Sequence, residues 1–120
     1  MKNLILLSFL ILSTLTFSQT EKSIYNQNKE TVLEYFRKET NGGKLDFELK
    51  LKDDKAHFYG IGNVLYNRKD YGILLWATAI KKTKKLSRKE AIKLWEEIKE
   101  KKLTKPEKKA FKKGFKMELN

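Results

Sequence analysis

Few residues in this chain have the chemistry to act on another molecule. His57 is its only histidine, and Asp53 and Asp54 precede it closely. An imidazole beside a carboxylate is the smallest general acid–base pair. Hydrolysis by such a pair also needs a nucleophile or a positioned water, and donors for a developing oxyanion. Nothing near His57 in sequence supplies them: Ser23 lies toward the N-terminus, and Ser87 is explained below as a helix cap. The plainer reading is an Asp-Asp turn followed by a surface histidine. A small hydrolase or nuclease using His57 with Asp53 or Asp54 is the alternative. One histidine among hard carboxylates, without a cysteine, has no recognisable metal-ligand spacing. Gly60-Ile61-Gly62 is a bare GxG with no third glycine and no helix start behind it, so no phosphate loop or cofactor follows from it.

The larger chemical feature is charge. The chain carries 27 Lys and Arg against 15 Asp and Glu. Residues 19–80 are close to neutral, with ten basic and nine acidic side chains, whereas 81–116 hold sixteen basic and five acidic ones. Lys105, Lys108, Lys109, Lys112, Lys113 and Lys116 fall on one side of a predicted helix, with Phe111 and Phe115 opposite. A field of this sign draws an anionic surface, an acidic glycan or an acidic protein. The plainer reading is a solvated helix face. Arginine is scarce, present only at 37, 68 and 88. Base-specific reading of nucleic acid relies on the bidentate guanidinium fork, so sequence-specific nucleic acid is not expected.

The elements that must carry these groups follow from periodicity. Glu21–Thr40 reads as a helix, firmest over Asn28–Glu39, with Val32, Leu33 and Phe36 on one stripe and Asn41-Gly42-Gly43 as its stop. In Lys44–Lys52, Leu45, Phe47, Leu49 and Leu51 alternate with charged residues, the pattern of a half-buried strand. Asp53-Asp54 marks a turn, Ala56–Tyr66 a second extended segment, Asn67–Asp70 another turn, and Tyr71–Ile80 a third strand. That last segment is the longest apolar run after the N-terminus and the expected centre of the core. As a meander's outer strand it would be apolar on both faces, which invites helix cover or a homodimer contact through Tyr71–Ile80. Two capping boxes follow, Ser87 with Glu90 and Thr104 with Glu107. They open helices Arg88–Lys101 and Lys105–Met117, joined closely enough to form an αα-hairpin. The fold class expected is therefore α+β: N-terminal helix, three-stranded antiparallel meander, C-terminal αα-hairpin.

An all-α alternative comes from Phe58-Tyr-Gly-Ile-Gly-Asn-Val-Leu-Tyr66 and Asp70-Tyr71. This stretch resembles the first helix and turn of a tetratricopeptide repeat, which would place a helical hairpin at 57–82. Leu74, Thr78 and Lys81 depart from the small, aromatic and small residues of that family's second helix.

Met1–Ser18 reads as a secretory signal peptide: Lys2, then apolar Leu4–Leu12, then small residues before a cleavage point near Ser18 and Gln19. Residues 19–120 are then one small basic domain, destined for the periplasm or the outside of the cell. Without cysteine, packing alone stabilises it. The function expected is non-enzymatic: an exported binding protein whose basic C-terminal hairpin meets an anionic partner.

Overall fold

The computed structural model describes residues 28–117. The signal-peptide reading and residues 21–27 of the first expected helix lie outside them. Helix α1 is Lys29–Thr40. The Asn28 side chain caps it by accepting from the Thr31 amide at 3.0 Å. Val32, Phe36 and Thr40, four residues apart, form its buried stripe. The chain turns out at Gly42, whose φ of +89° suits glycine.

Helix α2, Phe47–Leu51, occupies the stretch expected to be the first strand. This is a correction to Lys44–Lys52. The Asp46 carboxylate accepts from the Leu49 amide at 3.1 Å and from the Gly42 amide at 2.8 Å, turning the chain into a helix before any strand can run. Alternation also satisfies one helical turn here. Phe47 and Leu51, four apart, pack near Gly72, while Leu49 is left 54% exposed.

Strands β1, Phe58–Ile61, and β2, Val64–Asn67, make a two-stranded antiparallel hairpin. Gly62 has φ +60° at the first of two turn positions, as a II′ hairpin turn requires. Tyr59 lies opposite Tyr66 and Ile61 opposite Val64 on the inner face. Tyr59 stacks on Tyr71 with ring centroids 4.2 Å apart. Ala56–Tyr66 is thus two strands about a turn. The helix that the tetratricopeptide resemblance implied for this stretch is absent.

Helix α3, Arg68–Thr83, replaces the expected third strand. Asn67 caps it, accepting from the Asp70 amide at 2.8 Å. Gly72, Ile73, Leu74, Trp76, Ala77, Thr78 and Ile80 are all buried, leaving Tyr71, Leu75 and Ala79 half-buried along one line. A run apolar on both faces of a strand is equally apolar around most of a helix, and such a helix belongs at the centre of a core. The segment is the core's centre as expected, in the other conformation. Its apolar faces are covered by α2 and the two C-terminal helices. The open strand edge behind the dimer expectation does not exist.

Helices α4, Arg88–Lys99, and α5, Lys105–Lys116, begin at the two capping boxes as read. Ser87 and Glu90 exchange amide contacts at 3.2 and 3.0 Å. Thr104 and Glu107 do so at 3.3 and 2.8 Å. The short connection folds α5 back, yet α5 packs chiefly on α3 rather than on α4. Lys69 meets Glu107 at one end of that contact and Thr78 meets Gly114 at the other, so α3 and α5 run in the same sense. At the crossing, the Thr78 hydroxyl lies 2.8 Å from the Gly114 carbonyl oxygen and 2.9 Å from that of Leu74. Trp76 and Phe111 rings sit 5.9 Å apart beside it. The whole is mixed helix and sheet, mostly helical.

Candidate anion-binding face

At about 100° per residue, Lys105, Lys108, Lys109, Lys112, Lys113 and Lys116 project within an arc of about 140° on α5. Glu107, Ala110, Phe111 and Gly114 occupy the opposite side and are buried. All six lysines are exposed. None of them pairs with a carboxylate among the described residues. The stripe runs for roughly 16 Å along the helix axis at the usual rise per residue. Lys113 and Lys116 also favour the negative C-terminal end of the helix.

What holds α5 in place is also what leaves this face open. Phe111 is fully buried, Phe115 is half-buried, and Gly114 sits directly on the α3 backbone. The apolar side is spent on the core, so α5 offers a partner charge without hydrophobic insertion. No helix among the described residues is long and apolar enough to cross a membrane.

The one acid on α5 is withdrawn from the face. The Glu107 side chain is 3% exposed, with Oε2 3.2 Å from Lys69 Nζ and 3.9 Å from Lys101 Nζ. Burial pushes its carboxyl up, but the Thr104 amide and the Lys69 ammonium together hold it below the ordinary value. Periodicity alone missed this cluster. It placed Glu107 as a cap, and the lysines that approach it come from α3 and from the α4–α5 connection.

His57 and the two aspartates do not come together as a dyad. His57 is exposed, and among the described residues it makes no hydrogen bond or ion pair. The Asp54 carboxylate accepts from the Ala56 amide at 3.0 Å, which keeps its carboxyl below the ordinary range. Arg68 reaches the same loop, donating to the carbonyls of Lys52 at 3.2 Å and Ala56 at 3.1 Å, and to that of Asp54. These contacts build a turn. Among the described residues, no group of three or more His, Asp or Glu is placed to hold a metal ion.

A cleft beside the core is lined by Thr40, Leu45, Phe47, Glu48, Gly72 and Trp76, among others, and has a volume of about 10 Å³. That is room for about one water. The Trp76 indole donates to the Thr40 hydroxyl at 2.9 Å, which donates to the Phe36 carbonyl at 2.5 Å, so its polar groups are satisfied internally. No family model, curated protein or solved structure matches the chain.

Proposed function

We propose that this chain is a small exported binding protein, without catalytic activity of its own, whose α5 lysine face meets an anionic surface, an acidic glycan or an acidic protein. The observation that carries the reading is the set of six exposed lysines on one face, unpaired among the described residues, on a helix whose opposite side is already buried. Excess like charge held on a rigid helix is relieved by a polyanion, which releases its own counterions on contact. Lysine rather than arginine fits a partner read by charge and not by geometry. The export part of the reading is supported by the sequence pattern at Met1–Ser18, a basic residue, an apolar stretch and small residues before Gln19.

Retention of residues 19–120 on heparin-type beads or on vesicles rich in anionic lipid tests the reading. Lys108, Lys109, Lys112 and Lys113→Glu together should abolish retention while leaving the circular dichroism spectrum unchanged, since all four side chains are exposed. Retention of the wild type should fall steeply as salt is raised. Undiminished retention of the folded quadruple variant refutes the reading.

A further inference from the structure

The Glu107 cluster is unbalanced. Two ammonium groups, Lys69 from α3 and Lys101 from the α4–α5 connection, converge on one buried carboxylate oxygen at 3.2 and 3.9 Å. The carboxylate cannot turn away, because its other oxygen accepts from the Thr104 amide at 2.8 Å. One carboxylate balances one ammonium, and the nearer one is Lys69. Lys101 is left beside a like charge. Its Nζ also lies 5.6 Å from the centroid of the Trp95 ring on α4, so it is held over the cluster from a second side. The remaining charged groups give it little help. Glu48 of α2 reaches toward it but pairs with Lys99 at 3.7 Å, and the half-buried Asp70 lies nearer Lys69. The Lys101 side chain is nonetheless 43% exposed, so reagents can reach it.

We propose that Lys101 is a preferred acceptor of small activated acyl groups, acylated ahead of the exposed lysine side chains of α5. Only a neutral amine attacks a carbonyl carbon. The Lys69 ammonium pushes the Lys101 amine down from its ordinary value, so at a given pH more of it is neutral. The Nζ lone pair forms the new bond to the acyl carbon, and the bond from that carbon to its leaving oxygen breaks with the electron pair going to oxygen. The proton carried by the attacking nitrogen passes to solvent. The product amide is uncharged, and the cluster becomes a balanced pair, Lys69 with Glu107. A leaving group that departs as an anion, as from an acyl phosphate or an activated ester, is drawn by the Lys69 ammonium beside the reacting nitrogen.

The test is competitive labelling of the folded chain with limiting N-acetoxysuccinimide at about pH 8, below the ordinary lysine value near 10.4. Mass spectrometry of the peptides gives a rate for each lysine side chain. Lys101 should be acetylated faster than Lys108, Lys109 and Lys112, although those three are exposed. Lys69→Gln should remove the excess and bring Lys101 down to their rate, whereas Lys69→Arg should preserve it. Glu107→Gln should raise the Lys101 rate further, because both cations then lack a counter-ion. Lys101 labelled no faster than the α5 lysines, or a Lys101 rate indifferent to Lys69→Gln, overturns the proposal.

Discussion

Replacing Gly114 by alanine tests the centre of the fold, because two effects of known sign compete there. Gly114 lies inside α5, where alanine is favoured over glycine by about 1 kcal/mol. Were α5 loosely attached, Gly114→Ala would stabilise the protein by about that amount. The structure places the added Cβ 2.1 Å from the Leu74 carbonyl oxygen, 2.9 Å from its carbon and 3.0 Å from its Cα. Ordinary contacts need about 3.5 Å, so α3 and α5 would have to part by roughly 1 Å or more. The obstacle is helix backbone, which cannot rotate aside as a side chain would. Separation also draws the Gly114 carbonyl away from the Thr78 hydroxyl, a loss of about 1 kcal/mol, and opens the Trp76–Phe111 contact. Overpacking costs about 1–3 kcal/mol. Set against the propensity gain, the net is a loss of about 1–3 kcal/mol, or roughly 5–15 °C in Tm for a domain of this size. Gly72→Ala is the companion measurement, since its added Cβ meets only ordinary contacts of 3.9 Å on α2. The same chemical change in α3 should therefore be neutral or stabilising by up to about 1 kcal/mol. Urea and thermal unfolding, followed by helical ellipticity and tryptophan fluorescence, give both signs. A Gly114→Ala protein as stable as the wild type refutes the close crossing of α3 and α5.

Two further outcomes follow from the surface of the fold. The Lys29 ammonium, then the Ser87 amide, hold the Glu90 carboxyl down to about 2, and Glu107 is also depressed. Both sit lower folded than unfolded, so their contribution is complete above the ordinary value of 4.5 and is lost as pH falls below it, for Glu90 toward about 2. The urea midpoint should drop across that window, and Glu90→Gln should flatten the drop. On the hairpin, Phe58 is 64% and Leu65 71% exposed on the outward face. Phe58→Ser and Leu65→Ser should each change stability by less than about 0.5 kcal/mol in urea unfolding, and a loss above about 1 kcal/mol would mean that this face is covered.

The elements that the sequence announces correctly are those with local, directional chemistry at their ends. Both capping boxes, the Asn41-Gly42-Gly43 stop and the Asp53-Asp54 turn act over three or four residues, and tertiary packing leaves them alone. The errors fall where the only signal is apolar period. Leu45, Phe47, Leu49 and Leu51 alternate faultlessly, yet a five-residue turn of helix leaves Phe47 and Leu51 half-buried near Gly72 and Leu49 in water. Tyr71–Ile80 has no polar face in either conformation, so period cannot choose for it. Its composition tips toward helix, with Leu74, Leu75, Trp76, Ala77 and Ala79 and no run of β-branched residues. The Asn67 cap is a start signal of the kind that worked elsewhere, obscured by its reading as a turn between strands.

The lysine face was legible for a reason that the core was not. An amphipathic helix with a six-lysine arc has one orientation compatible with a folded chain, so Phe111 toward the core fixes Lys105 to Lys116 toward water without knowing what α5 packs against. Glu107 shows the limit of that logic. Its place in the capping box explains one carboxylate oxygen, which accepts from Thr104. The other oxygen is determined by which long side chains arrive from elsewhere, and those depend on α3 being a helix parallel to α5. As a strand, Tyr71–Ile80 would have carried Lys69 on a different course. The same misreading therefore hid both the path of α3 and the charge cluster at its start, and only the helix brings Lys69 and Lys101 to one carboxylate.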